Sequence, residues 1–224
     1  MKHFDCRSLV HLYLILFAIS LFLFFILTHY IFYTDMTHIQ QQIYRWIEVI
    51  RTNQLSNVMI LLTKTANPIP VFLVTLLLCL ILVLQKFFLD AILVVSTMGC
   101  LSLANIILKH WFSRERPTFT HLIEETGYSF PSGHAMISFG FAILITYLVS
   151  HHVSSRVIAR IISMIAFFYS LLIGFSRLYV SVHYLGDVLG GFLAATAITC
   201  LLLAFFERSS FLHSSNQKEE TRYQ

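Results

Sequence analysis

Six apolar runs, at 9–32, 69–84, 89–108, 133–150, 157–175 and 184–206, take up most of this 224-residue chain. A helix that crosses a membrane needs about 20 mostly apolar residues, and each run is near that length. The runs are continuous rather than alternating, which argues for helices and against the period-two strands of a closed barrel. Only 12% of the residues are charged, about half the share typical of soluble domains. Most of the surface is therefore expected to face lipid. The expected fold is all-α: one membrane domain over 1–224, an integral helical bundle with six transmembrane helices.

The first run follows Lys2 and Arg7, as a signal peptide would. It is too long for one, however, and no small-x-small cleavage site follows it, so it reads as a retained anchor. Of the four cysteines, Cys79, Cys100 and Cys200 lie inside runs, where cysteine behaves as a small hydrophobe. Cys6 stands beside the first run, open to acylation or simply structural. No cysteine pair has metal or redox spacing.

Between the first two runs, Ile39, Ile43, Ile47 and Ile50 recur at helical spacing while Gln40, Gln41, Arg45, Glu48 and Arg51 fall elsewhere. This pattern predicts an amphipathic helix in the membrane interface with Trp46 as anchor, or a short helix packed on the bundle. Asn67, Pro68, Ile69 and Pro70 end it and open the second run. The polar stretch 207–224 is expected to be a flexible cytoplasmic tail.

Lys and Arg in short loops set orientation. The two sides are almost balanced until Lys109, Arg116 and Arg177 are set aside as residues held by function. The remainder favours both termini inside. The net charge of +4 sits mainly at run ends, so no nucleic-acid partner is expected.

Three motifs carry the chemistry. Lys109 and Arg116–Pro117 close the third run; Pro131, Ser132, Gly133 and His134 open the fourth; Ser176 and Arg177 end the fifth, with His183 and Asp187 at the start of the sixth. The loops holding them are separated by two runs and so emerge on one side. His183 and Asp187 are four apart and share a helical face. The carboxylate can fix the imidazole tautomer and leave one nitrogen as nucleophile; equally, such a pair can stitch a bundle. Guanidiniums bind phosphate oxygens bidentately and a lysine adds a point charge, although Lys and Arg also snorkel at membrane boundaries. The Ser132–Gly133 turn offers backbone N–H groups at a helix start, or an ordinary cap. His134 is placed to give a proton to a leaving oxygen.

Taken together, Lys109, Arg116–Pro117, Pro131–Ser132–Gly133–His134, Ser176–Arg177, His183 and Asp187 resemble the motifs of the type 2 phosphatidic acid phosphatase (PAP2) family, relatives of the vanadium haloperoxidases. Every motif position is occupied, all within 109–187. The resemblance implies a membrane lipid phosphatase that needs no metal and no cofactor. It implies His183 as nucleophile, forming a phosphohistidine, Asp187 as its orienter and His134 as general acid. Lys109, Arg116, Ser132, Gly133 and Arg177 would bind the phosphate. The implied partners are a lipid phosphate substrate and membrane lipids. The substrate would be a phosphomonoester or pyrophosphate, such as phosphatidic acid, phosphatidylglycerophosphate or undecaprenyl pyrophosphate. A phosphotransferase or a binding-only lipid protein are the alternatives. The absence of Asn-x-Ser/Thr sequons fits a bacterial cytoplasmic membrane, with the site on the outer face.

Weaker features are Asn105, which could hold Lys109 four residues on or equally make a buried interhelical hydrogen bond; His121 and Glu124, two loop residues that are too little to make a metal pair; His151–His152 as plain loop; Phe119, Tyr128 and Phe130 as a lipid entrance or interfacial aromatics; and a small-residue face of Gly186, Gly190 and Ala194.

Overall fold

The structure is a computed structural model. It describes residues 6–220, with side chains from 8 to 209. Among these residues all regular structure is helical. The order is α1 (Cys6–Tyr33), α2 (Thr37–Ile50), α3 (Asn53–Thr65), α4 (Pro68–Leu84), α5 (Phe88–Phe112), α6 (Gly133–His152), α7 (Arg156–Tyr179) and α8 (Leu185–Glu220). Helices α1, α5, α6, α7 and α8 are each long and apolar enough to cross a membrane. The remaining span is a bent pair, α3 with α4, meeting at 51°. Alone, the 17 residues of α4 reach about 25 Å at 1.5 Å per residue, short of the ~30 Å hydrocarbon layer. The expected integral helical bundle is present among the described residues, with six spans when the bent pair counts as one.

The break is written in the sequence. A residue before proline is pushed out of the helical region, and Asn67 stands at φ −65°, ψ 159° ahead of Pro68. Upstream, the stretch expected to be one amphipathic helix is two. Thr52 is extended and accepts a hydrogen bond from the Leu55 N–H, capping α3 and ending the continuity with α2. In α2, Ile47 is buried, whereas Ile39 (42%), Ile50 (46%) and Trp46 (63%) stay exposed, so only the middle of the apolar stripe packs inward. Arg51 fastens the α2–α3 junction, donating to Tyr179 O (2.8 Å) and Ser181 Oγ (2.7 Å).

Helix α8 is central, packing against α1, α5, α6 and α7. Its small residues allow this. A Cβ on Gly191 would stand 2.8 Å from the Ser132 carbonyl oxygen, and one on Gly190 would stand 2.5 Å from the Phe130 ring. The expected small-residue face is a close contact at Gly190 and at Gly186, whose Cβ would stand 2.7 Å from Ile31 of α1, while Gly191, beside that face, lets the Ser132 turn onto α8. The core runs the length of the bundle. Leu82, Leu93, Leu144 and Leu203 fill one end. Phe24, Leu101, Phe130 and Met136 fill the next layer. Met59, Tyr179, Val180 and Val182 pack under the other end.

Helix α8 continues as helical backbone through Glu220, and residues 221–224 of the expected tail lie outside the described residues. The side chain of Cys6 also lies outside them.

Candidate active site

One end of the bundle gathers all three motifs. Helix α5 stops at Ser113, whose left-handed backbone (φ 45°) caps it. The chain then doubles back through 114–131. Ser129 ties this loop to its own start, donating from N to Arg114 O (2.8 Å) and from Oγ to Glu115 O (2.9 Å). Leu122 N donates to Val180 O at 3.1 Å, so the loop lies across the α7–α8 turn.

That turn carries His183, which is 4% exposed. Its Nδ1 faces Asp187 Oδ2 at 3.4 Å, and its Nε2 faces Arg116 Nη1, also at 3.4 Å. A guanidinium only donates. The Nε2 must therefore carry the lone pair and Nδ1 the proton. Burial is the main cause holding His183 down to about 4, against the opposing pull of Asp187. Burial thus favours the neutral ring, and its Nε2 lone pair faces the Arg116 guanidinium.

Asp187 is fully buried and fully partnered. Oδ2 also accepts from Tyr184 N (2.9 Å), and Oδ1 pairs with Arg114 Nη1. Its carbonyl oxygen accepts from Ser132 N at 2.9 Å, which ties the second motif to the third.

The cations are held from behind. Arg116 donates to Gly127 O (2.9 Å), Thr126 O (2.9 Å) and Val182 O (3.0 Å). Arg177, with no exposed surface, donates Nη1 to Thr63 Oγ1 (2.8 Å) and Nη2 to Glu125 Oε2. Glu125 also lies 3.8 Å from Arg116. Burial alone would raise the Glu125 carboxyl, but Arg177, His134 and Arg116 outweigh it and hold it below the usual carboxylate range. Lys109 makes no hydrogen bond or ion pair among the described residues, yet it lies within the electrostatic reach of Arg116, Arg177, Glu125 and Asp187. Two buried donors in the same site lack a partner, Ser132 Oγ and Arg177 Nε. Ser132 sits at the N-cap of α6 without capping it, so its hydroxyl is uncommitted. His134, in the first turn of α6, has Nε2 2.9 Å from Asn67 Oδ1.

All the residues the motifs singled out therefore converge: His183, Asp187, His134, Lys109, Arg116, Arg177, Ser132 and Gly133. The secondary readings can be placed too, and some need correcting. Of its two readings, Asn105 follows the hydrogen bond rather than the hold on Lys109: it donates to Pro131 O at 3.2 Å, just ahead of α6. His121 turns back on Pro117 O at 2.8 Å, away from any metal arrangement with Glu124. His151 and His152 are the last turn of α6 rather than loop, and each meets an acid at the far end of the bundle, Glu207 (3.2 Å) and Asp90 (2.9 Å). Phe130 is fully buried among Phe24, Phe32 and Phe112, so it lines no entrance. Phe119 stacks on Tyr44 at 4.0 Å, and both border a cavity of about 20 Å³ beside His183.

Arg114, Glu125, Thr63 and Asn67 were not singled out from sequence. Arg114 had a signal, a third cation beside Arg116 in the same short stretch. The others face the site only through the loop crossing and the α3–α4 bend, which no residue spacing encodes.

Comparison with known proteins agrees with this geometry. A family model described as the PAP2 superfamily matches residues 90–211. Phosphatidylglycerophosphatase B of Bacillus subtilis (strain 168) is 35% identical over 120 residues, 53% of this chain and 59% of the relative. The match thus spans about three fifths of that relative's length. The crystal structure of a transmembrane PAP2 type phosphatidylglycerolphosphate phosphatase from Bacillus subtilis superposes with a TM-score of 0.75 at 30% identity. It covers 86% of this chain and 96% of the other. Aquifex aeolicus LpxE shares the fold, with a TM-score of 0.58 at 23% identity over 74% of this chain and 94% of its own. With the family model covering more than half its length and every motif position converging at one end of the bundle, the chain belongs to the PAP2 superfamily.

Proposed function

We propose that this protein is a membrane lipid phosphatase that hydrolyses a lipid phosphomonoester or pyrophosphate through a phosphohistidine on His183. The observation that carries the reading is the state of His183. It is neutral and oriented by Asp187, with its Nε2 lone pair open toward the guanidinium of Arg116. A neutral imidazole beside fixed cations can attack a phosphorus whose oxygens those cations hold.

In this mechanism Lys109, Arg116 and Arg177 neutralise the equatorial oxygens, as phosphoryl transfer requires. Ser132 Oγ and Arg177 Nε, both buried without partners, add donors, and the N–H groups opening α6 at Gly133 add others. His183 Nε2 bonds to phosphorus as the bond to the leaving oxygen breaks, and His134 gives that oxygen a proton. Water then attacks the phosphohistidine, with His134 taking back a proton. The carboxylate of Glu125, held by Arg177 and close to Arg116, yields its place to the substrate phosphate.

The names of the relatives make phosphatidylglycerophosphate the first substrate to try, before phosphatidic acid and undecaprenyl pyrophosphate. The loop charges favour cytoplasmic termini and a site on the outer face of a bacterial cytoplasmic membrane. The test is phosphate release by the purified protein in detergent from these three lipids, with EDTA present and His183→Asn as control. Release that survives EDTA and is inhibited by vanadate, a mimic of the five-coordinate state, is expected. Loss in EDTA with rescue by a divalent ion would overturn the metal-free mechanism. Release only when an acceptor alcohol is supplied would make the protein a phosphotransferase.

A further inference from the structure

The family match begins at residue 90, yet a side chain from well before it reaches the site. Asn67 lies in the bend between α3 and α4, and its Oδ1 is 2.9 Å from His134 Nε2. Asn67 is the N-cap of α4. An asparagine in that position ordinarily turns its side-chain oxygen onto the N–H of the second or third helical residue. Asn67 makes no such bond. The sequence supplies the reason. Pro68 and Pro70 are the first and third residues of α4, and proline has no N–H. Only Ile69 remains as a donor, so the amide is released from capping. The 51° bend carries it to the start of α6 instead.

The bend is itself tied to the site. One turn earlier, Thr63 is 1% exposed and accepts from Arg177 Nη1 at 2.8 Å. Two motif residues on two different helices are thus gripped by one elbow outside the motifs.

For His134 the contact has a chemical consequence. A carbonyl oxygen only accepts, so Nε2 must carry its proton in both states of the ring. The nitrogen left to gain and lose a proton is Nδ1. The ring need not turn over when it discharges its proton, and it keeps one orientation through both halves of the reaction. We propose that Asn67 is the positioning residue of the general acid, doing for His134 what Asp187 does for His183. The proposal rests on the reading of His134 as proton donor. In the step concerned, protonated His134 Nδ1 gives its proton to the ester oxygen. That oxygen leaves phosphorus as an alcohol, His183 Nε2 bonds to phosphorus, and His134 is left neutral.

The experiment follows phosphoenzyme formation in a single turnover on two substrates. Phosphatidic acid has a poor leaving group that needs the proton; p-nitrophenyl phosphate has a good one that needs it little. General acid catalysis is typically worth about 10²–10⁴-fold. Asn67→Ala is expected to lose at least ~10-fold of this on phosphatidic acid and distinctly less on p-nitrophenyl phosphate. Asn67→Asp, which restores an acceptor oxygen, is expected to recover most of the loss. In a His134→Ala background, Asn67→Ala should add nothing. The aryl phosphate rate also reports whether each variant is folded. Equal losses on both substrates, in Asn67→Ala and in the milder Asn67→Ser, would make Asn67 a structural link and overturn the proposal. A leaving-group effect in His134→Ala but not in Asn67→Ala would overturn it while keeping His134 as the acid. Equal losses in His134→Ala itself would remove the acid assignment and the proposal with it.

Discussion

Arg114 pairs with Oδ1 of Asp187 while Oδ2 of the same carboxylate faces His183. The orienting carboxylate is therefore itself oriented. Asp187 has no exposed surface, and a lone carboxylate there would be costly. Arg114, in turn, lies over the Tyr184 ring at 4.4 Å, which fixes its guanidinium from the other side.

Removing one partner of a buried ion pair leaves an uncompensated charge and typically costs about 3–5 kcal/mol. Arg114 is slightly open to solvent, so Arg114→Met is expected at the lower end of that range, about 3 kcal/mol. Its thermal midpoint in detergent should fall, and kcat should fall with it because Asp187 is free to turn from His183. Arg114→Lys keeps the charge but not the planar stack on Tyr184, and should lie between. A wild-type midpoint and wild-type kcat for Arg114→Met would show the pair to be idle.

His183→Asn should form no phosphoenzyme, since the proposed nucleophile is gone. Asp187→Asn keeps the nucleophile but no longer holds the tautomer. The comparable change in a serine-protease triad lowers turnover by about 10⁴-fold, and a residual rate of that order is expected here. Rapid-quench detection of acid-labile phosphate on the protein checks both. A phosphoenzyme in His183→Asn would move the nucleophile elsewhere.

How much of this was legible in the sequence follows from the range of the interactions. The spans were legible because lipid selects hydrophobicity residue by residue. The motif residues were legible because they sit at helix ends or in the short loops beside them, where spacing from one to the next is set by the chain itself. Asp187 could be placed against His183 by the i, i+4 rule alone. Asn67 could not be placed against His134, 67 residues away. That contact depends on the angle of a break, and the sequence at the break, Asn-Pro-Ile-Pro, announces only that a break exists. The amphipathic helix expected from Ile39 to Ile50 is present as α2, but it does not run on to Asn67, for a local reason. The isoleucine period runs on to Ile50, but Thr52 offers a cap that favours restarting the helix over continuing it.

The orientation of the site is open to a labelling test. In a background with the native cysteines replaced, a cysteine at position 120 lies in the loop crossing the site, and one at 154 lies between α6 and α7. These loops are at opposite ends of α6. With the site outward, an impermeant maleimide should modify intact cells at 120 and not at 154. The reverse pattern would put the substrate pool on the cytoplasmic side.

The last prediction concerns acid. His183 is held down to about 4, whereas an unfolded histidine titrates near 6.5. Between these values the unfolded chain binds a proton that the folded protein refuses. Stability from this group is therefore full above about 6.5 and declines as pH falls to about 4. At 1.36 kcal/mol per pKa unit the decline totals about 3 kcal/mol. His183→Asn lacks the titration, so its thermal midpoint in detergent should fall less between pH 6.5 and 4 than that of the wild type. Comparing the two proteins cancels the shared groups that His183 does not touch, Glu125 among them. The same shift keeps the nucleophile neutral well below neutral pH. A ¹³C-labelled histidine NMR titration, assigned with His183→Asn, should therefore show the His183 ring unprotonated at pH 6. A midpoint at or above 6, or acid slopes that match in both proteins, would mean that the fold does not depress the His183 ring, and a midpoint above 7 would mean that the ring must lose a proton before it can attack.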